Sequence, residues 1–64
     1  MYLLWNEEDG LPASPDLFRT ETEAREYERA FRARYERQGY YLAADWRRIA
    51  PEDIRLVVLV ADEP

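Results

Sequence analysis

Three groups of side chains in this 64-residue chain have the residue types for chemistry: the acidic run Glu7-Glu8-Asp9, the hydroxyl of Ser14 and the triplet Trp46-Arg47-Arg48. The chain has no His, Cys or Lys, and all nine basic residues are Arg. The commonest general base, the thiol nucleophile, the Schiff-base amine and the usual zinc ligands are therefore absent from it. Ser14, the only Ser, lies between Ala13 and Pro15 without a His to activate it, so a Ser–His triad is excluded.

The acidic run has oxygen ligands of the kind that hold Ca²⁺ or Mg²⁺. It lacks the alternating Asp-x-Asp-x-Asp-Gly spacing of an EF-hand loop, and a solvated acidic turn accounts for it better. Glu52 and Asp53 are neighbours in a turn and do not suggest a catalytic carboxylate pair. We expect no enzyme here, and no metal or other cofactor.

An Arg pair beside an exposed aromatic is one ingredient of single-strand binding. The triplet Trp46, Arg47 and Arg48 thus supports an alternative reading as a single-stranded nucleic-acid-binding module that also uses an exposed Tyr. Such binding would be salt-sensitive and would weaken on Arg47→Ala. The formal net charge of −5 opposes it, because a sequence-independent binder needs net positive potential to displace counterions. A further alternative is an acidic inhibitor that presents Glu7, Glu8 and Asp9 to a basic site on another protein.

These residues must be positioned by a small fold. The longest apolar run is Ile54-Arg55-Leu56-Val57-Val58-Leu59-Val60. Its length and β-branched content predict a strand covered on both faces. An edge strand usually carries charge, Pro or a bulge. This one carries none in its middle, which predicts a central place in the sheet. Tyr2 to Asn6 reads as a first strand, ended by a turn at Asp9-Gly10. Leu11 to Arg19, with Pro12 and Pro15, reads as a long connection. Its Leu11, Leu17 and Phe18 are apolar enough to fold back over an edge of the core.

A helix is predicted from Thr20, spaced with Glu23 as a capping box, to about Gln38, with Gly39 as the left-handed residue beyond its end. Ala24, Tyr27, Phe31, Tyr35 and Gln38 share one stripe, the expected core face. Arg25, Arg29 and Arg32 alternate with Glu21, Glu28 and Glu36 on the outer side, and Arg34 borders the apolar stripe. Tyr40 to Ala43 reads as a second strand, with Ala44-Asp45 turning the chain and Trp46 to Ile49 pairing back as a short hairpin arm. Pro51 starts a turn or single helical turn, and Ala61 to Pro64 reads as a polar tail.

The expected fold is α+β: one domain over residues 1–64, a single-layer β-α-β-β sheet in the order 1-3-2, its third strand central, with the helix on one face. One helix covers one face only. Leu56, Val58 and Val60 are assigned to the helix side, which turns Val57 and Leu59 away from it. Leu3 and Trp5 join them if the register allows. Leu3, Trp5, Val57 and Leu59 are the expected interface.

A chain of this size buries only roughly 60% of its unfolded surface, and such folds often rely on a disulfide, a metal or oligomerisation. Without Cys or His, oligomerisation or an unusually good core is what remains. The reading is a small acidic interaction module that homodimerises through the open sheet face or serves as a subunit of a larger assembly with an unknown protein partner. No segment approaches the roughly 20 apolar residues of a membrane span, and the N-terminus lacks a basic signal-peptide start. A cytoplasmic setting is expected.

Overall fold

The computed structural model describes residues 1–61 of the chain; most of the expected polar tail, from residue 62 on, lies outside the described residues. Five short strands and one helix follow in the order β1 (Tyr2–Asn6), β2 (Leu11–Pro12), α1 (Glu21–Glu36), β3 (Tyr41–Leu42), β4 (Arg48–Ile49) and β5 (Leu56–Val60), with a 3-10 turn over Pro51–Asp53 before β5. The architecture is α+β with two antiparallel sheets, β2-β1-β5 and β3-β4.

The helix starts at its expected cap and runs to Glu36, short of the expected Gln38, with Arg37 as its C-cap. Thr20 is extended and its Oγ1 accepts a hydrogen bond from the Glu23 N–H at 3.1 Å, satisfying one of the free donors of the first turn. Glu23 returns the contact by accepting from the Thr20 hydroxyl rather than from its backbone N–H. At the other end Gly39 takes φ +91° and donates to the Tyr35 carbonyl at 2.9 Å. Only Gly adopts that conformation without steric cost.

The core-facing stripe is the expected one along most of its length. Ala24 and Phe31 are buried, Tyr27 and Tyr35 half-buried, and Gln38 exposed. Phe31 and Tyr35 meet Tyr41 in a cluster with ring centroids 4.8–5.7 Å apart, a spacing at which tilted aromatic pairs attract. Leu4, fully buried, joins Phe31, Tyr41, Ala43, Ile54 and Leu56 in the core. Ile54, 2% exposed, fills it from the end of the 3-10 turn rather than from a strand. Arg32, expected on the outer face, reaches the Pro51 carbonyl at 2.6 Å while pairing with Glu28, so it fastens that turn to the helix.

Strand pairing departs from the expected order 1-3-2 and from a single layer. β1 and β5 are antiparallel neighbours as foreseen, Trp5 opposite Val57 and Leu3 opposite Leu59. However, β1 is central and β5 lies at the edge. The second expected strand does not enter this sheet: Tyr41 pairs with Ile49 and Leu42 with Arg48 in a separate hairpin. The short turn makes that local pairing cheaper in loop entropy than a crossover back to the main sheet.

The other edge of β1 is taken by a segment read as loop. Leu11 and Pro12 pair with Asn6 and Trp5. Beyond them Phe18 exchanges backbone bonds with Tyr2 at 2.7 and 2.8 Å. Phe18 also packs its ring 5.4 Å from Tyr27 on the helix side. The connection therefore covers a sheet edge and the helix flank; Leu11 and Leu17 remain exposed.

Candidate functional site

Residues directly opposite in an antiparallel pair share a face. The register therefore puts Leu4, Asn6, Leu56 and Val58 on the side where the helix packs, and Leu3, Trp5, Val57 and Leu59 together on the other. Pro12, opposite Trp5, extends that second face across the third strand. Leu3, Trp5 and Val57 are half-buried and Leu59 is 42% exposed. Among the described residues the helix is the element outside the sheet that packs most closely on β1 and β5, and it lies on the opposite side, with Phe31 against Leu4 and Leu56. The four expected interface residues thus form a contiguous apolar surface, and nothing charged interrupts it between Leu3 and Leu59.

The acidic run has a different role from a solvated turn. Asn6 is buried, and its side-chain carbonyl accepts from the backbone N–H of Glu8 and Asp9 at 2.9 and 3.4 Å. Gly10, at φ +66°, closes the turn by donating to the Asn6 carbonyl. Glu8 and Asp9 are thereby aimed inward. The Glu8 side chain is only 4% exposed and pairs with Arg55 at 3.1 Å and Arg47 at 3.5 Å. The Arg55 hydrogen bonds hold its carboxyl below the usual glutamate range.

Asp9 accepts from the Ala44 N–H at 2.7 Å and from the Tyr41 hydroxyl, which in turn accepts from the Asn6 amide at 3.0 Å. Burial, and then the bond to Asp9, push the Tyr41 hydroxyl up to about 12. These groups clamp the β1–β2 turn to the β3–β4 hairpin. Sequence reasoning missed them because their partners lie more than thirty positions away. No cavity opens beside them among the described residues. Glu7 alone of the run is exposed.

The Trp46-Arg47-Arg48 triplet sits on the β3–β4 hairpin. Trp46 is at its tip, 79% exposed, with φ +70°. Its N–H donates to Ala43, and Ala43 N–H donates to Arg47, the pattern of a three-residue hairpin loop whose last position is left-handed. Arg47 is committed to Asp45 and Glu8, while the Arg48 guanidinium lies 4.6 Å from the centre of the Tyr40 ring. Both arginines of the triplet thus have partners within the fold.

A bulky residue in the left-handed region costs roughly 1–2 kcal/mol, and Trp46 has little burial to offset that. Trp46→Gly is therefore expected to raise stability by about 1 kcal/mol in urea unfolding, with an unchanged denaturant slope. No helix among the described residues is long and apolar enough to cross a membrane. No family model matches the chain, and neither a curated protein nor a solved structure matches it.

Proposed function

We propose that the chain is a non-enzymatic interaction module that homodimerises through the open sheet face, in the cytoplasm, a setting its lack of Cys suits. The observation that carries this reading is the register that gathers Leu3, Trp5, Val57 and Leu59 on the side away from the helix. Full burial of such a side chain is worth roughly 1.5–3 kcal/mol. For a domain of this size a few of them rival the whole folding stability, of order 0.05–0.15 kcal/mol per residue. A two-fold axis through the face would set the same apolar surface against itself, the commonest form of assembly.

Light scattering behind size exclusion, over a dilution series, tests it. The unmodified chain is expected to elute with a mass above one chain. Trp5→Arg is expected to fall to half the mass of the unmodified assembly while keeping its helical circular dichroism, because a charge would be buried unpaired at the contact. A chain that stays single at every concentration, or a Trp5→Arg variant that keeps the full mass of the unmodified assembly, contradicts the reading.

Single-strand nucleic-acid binding is the second reading, favoured by the exposure of Trp46 at a hairpin tip. Its weakness is that Arg47 already has carboxylate partners. The acidic-inhibitor reading has less support, since Glu8 and Asp9 are engaged within the fold.

A further inference from the structure

The free edge of β5 goes beyond the open face, because it is a different surface with a different demand. Backbone groups point alternately to the two sides of a strand. Tyr2 bonds Phe18, and the Leu4 carbonyl accepts from Ala13 at 2.8 Å, so these residues face β2 and the loop beyond it. Leu3 and Trp5 then face β5. The same alternation continues at both ends, where Glu7 N–H donates to Arg55 at 2.9 Å and Ala61 N–H to Met1 at 3.0 Å. On β5, therefore, Val57 and Leu59 point their backbone groups to β1. Those of Leu56, Val58 and Val60 point the other way, and among the described residues none has a backbone partner there. Leu56 is buried, which leaves Val58 to Val60 as the open stretch, with Val60 77% exposed.

Natural edges are protected by charge, Pro, a bulge or a cover. Among the described residues this one has none of these from Val58 to Val60; the sequence places charge only outside it, at Arg55 before and at Asp62-Glu63 after. A strand with the composition of a sheet centre stands at a sheet edge. We propose that β5 pairs edge to edge with β5 of a second copy, antiparallel about a two-fold axis, Val58 of each copy opposite Val60 of the other. Each such pair exchanges both of its N–H···O bonds, which satisfies the open donors and acceptors of Val58 and Val60 in both copies together. Leu59 then meets its own counterpart across the axis, on the open face.

A second copy fits better than an unrelated strand. The neighbour must be apolar on both faces and free of charge over the same short length, and β5 itself meets that description. The net charge of −5 repels two copies at long range, so the pairing strengthens as salt screens it, the opposite of nucleic-acid binding.

Residue-resolved amide exchange on the full chain, alongside its mass, tests the proposal. The Val58 and Val60 amides are expected to be protected in concentrated samples and to lose that protection on dilution, while Leu3 and Leu59 stay protected. Val60→Pro removes an outward donor without touching a β1–β5 bond, and is expected to halve the mass of the assembly. If Val60→Pro does not fold, Val60→Lys places a charge at the same exposed site, and exchange in the unmodified chain still decides.

Trp5→Arg separates the edge from the face. An assembly that survives Trp5→Arg but falls apart with Val60→Pro supports the edge and contradicts the face-to-face reading. The converse, with Val58 and Val60 exchanging freely in the assembled chain, overturns the edge and leaves the face standing. Four chains that become two with either variant support both contacts. A single chain with freely exchanging Val58 and Val60 overturns both.

Discussion

Leu4→Ala is expected to lower the thermal midpoint by about 12–24 °C, from a loss of about 3 kcal/mol in a domain of this size. Leu4 is fully buried in the central strand, within the cluster formed by Phe31, Tyr41, Ile54 and Leu56. Truncation there removes the transfer energy of the side chain and leaves a void, and the surrounding groups come from four separate segments that cannot all close on it. The cost is about 2–5 kcal/mol for such sites, a large part of a total of order 0.05–0.15 kcal/mol per residue. Leu17→Ala provides the contrast. Leu17 is 41% exposed on the connection, and its loss is expected to cost less than about 0.5 kcal/mol. Thermal unfolding followed by circular dichroism distinguishes the two. Equal effects would mean that the core is not centred on Leu4.

Asp9→Ala is expected to cost about 2–3 kcal/mol, the range for hydrogen bonds to a charged group with a buried donor left over. The Tyr41 hydroxyl would lose its acceptor while Asn6 still donates to it, and the hairpin would lose its bond through Ala44. A double-mutant cycle with Tyr41→Phe reads the coupling directly; additive losses would contradict the clamp.

The same pair sets an alkaline limit. Tyr41 titrates near 10 when unfolded and at about 12 when folded. Its stabilising contribution is therefore complete below pH 10 and is lost as the pH rises through about 12. Asp9→Ala removes one of the causes of the upward shift, so the tyrosinate absorbance of Tyr41 should appear at lower pH in that variant.

What could be read from the sequence was what local chemistry dictates. Thr20 and Gly39 bound the helix because capping acts within a few residues, and the apolar stripe of Ala24, Tyr27, Phe31 and Tyr35 follows from helical periodicity. The short arm after Trp46 was also legible, since Ala44-Asp45 lies between two strand-like segments. Partner choice was not legible. Leu56–Val60 has a composition that suits a sheet centre, yet β1 holds that place because Leu11 and Pro12 return to it across the Asp9-Gly10 turn. The left-handed Gly10 closes a four-residue loop, Glu7 to Gly10, between paired Asn6 and Leu11, and the acidic residues before it and the two prolines beyond it concealed the strand. Glu8 and Asp9 resembled a solvated turn because nothing nearby in sequence announces Arg55, Arg47, Tyr41 or Ala44. Of the interface residues, alternation alone assigned Val57 and Leu59 to one face; only the β1–β5 register could add Leu3 and Trp5 to it.

The pairing of β1 with β5 also sets the order of events in folding. The helix and the two hairpins can form within microseconds, but a short helix or an isolated hairpin has little stability by itself. Their common core closes only when strands roughly fifty positions apart meet, and the entropy of that closure must be lost before the contacts repay it. The barrier therefore lies at joining the first strand to the last. Until that step the chain holds no lasting native element, and after it every element is held at once, so the protein should fold and unfold as a single kinetic unit.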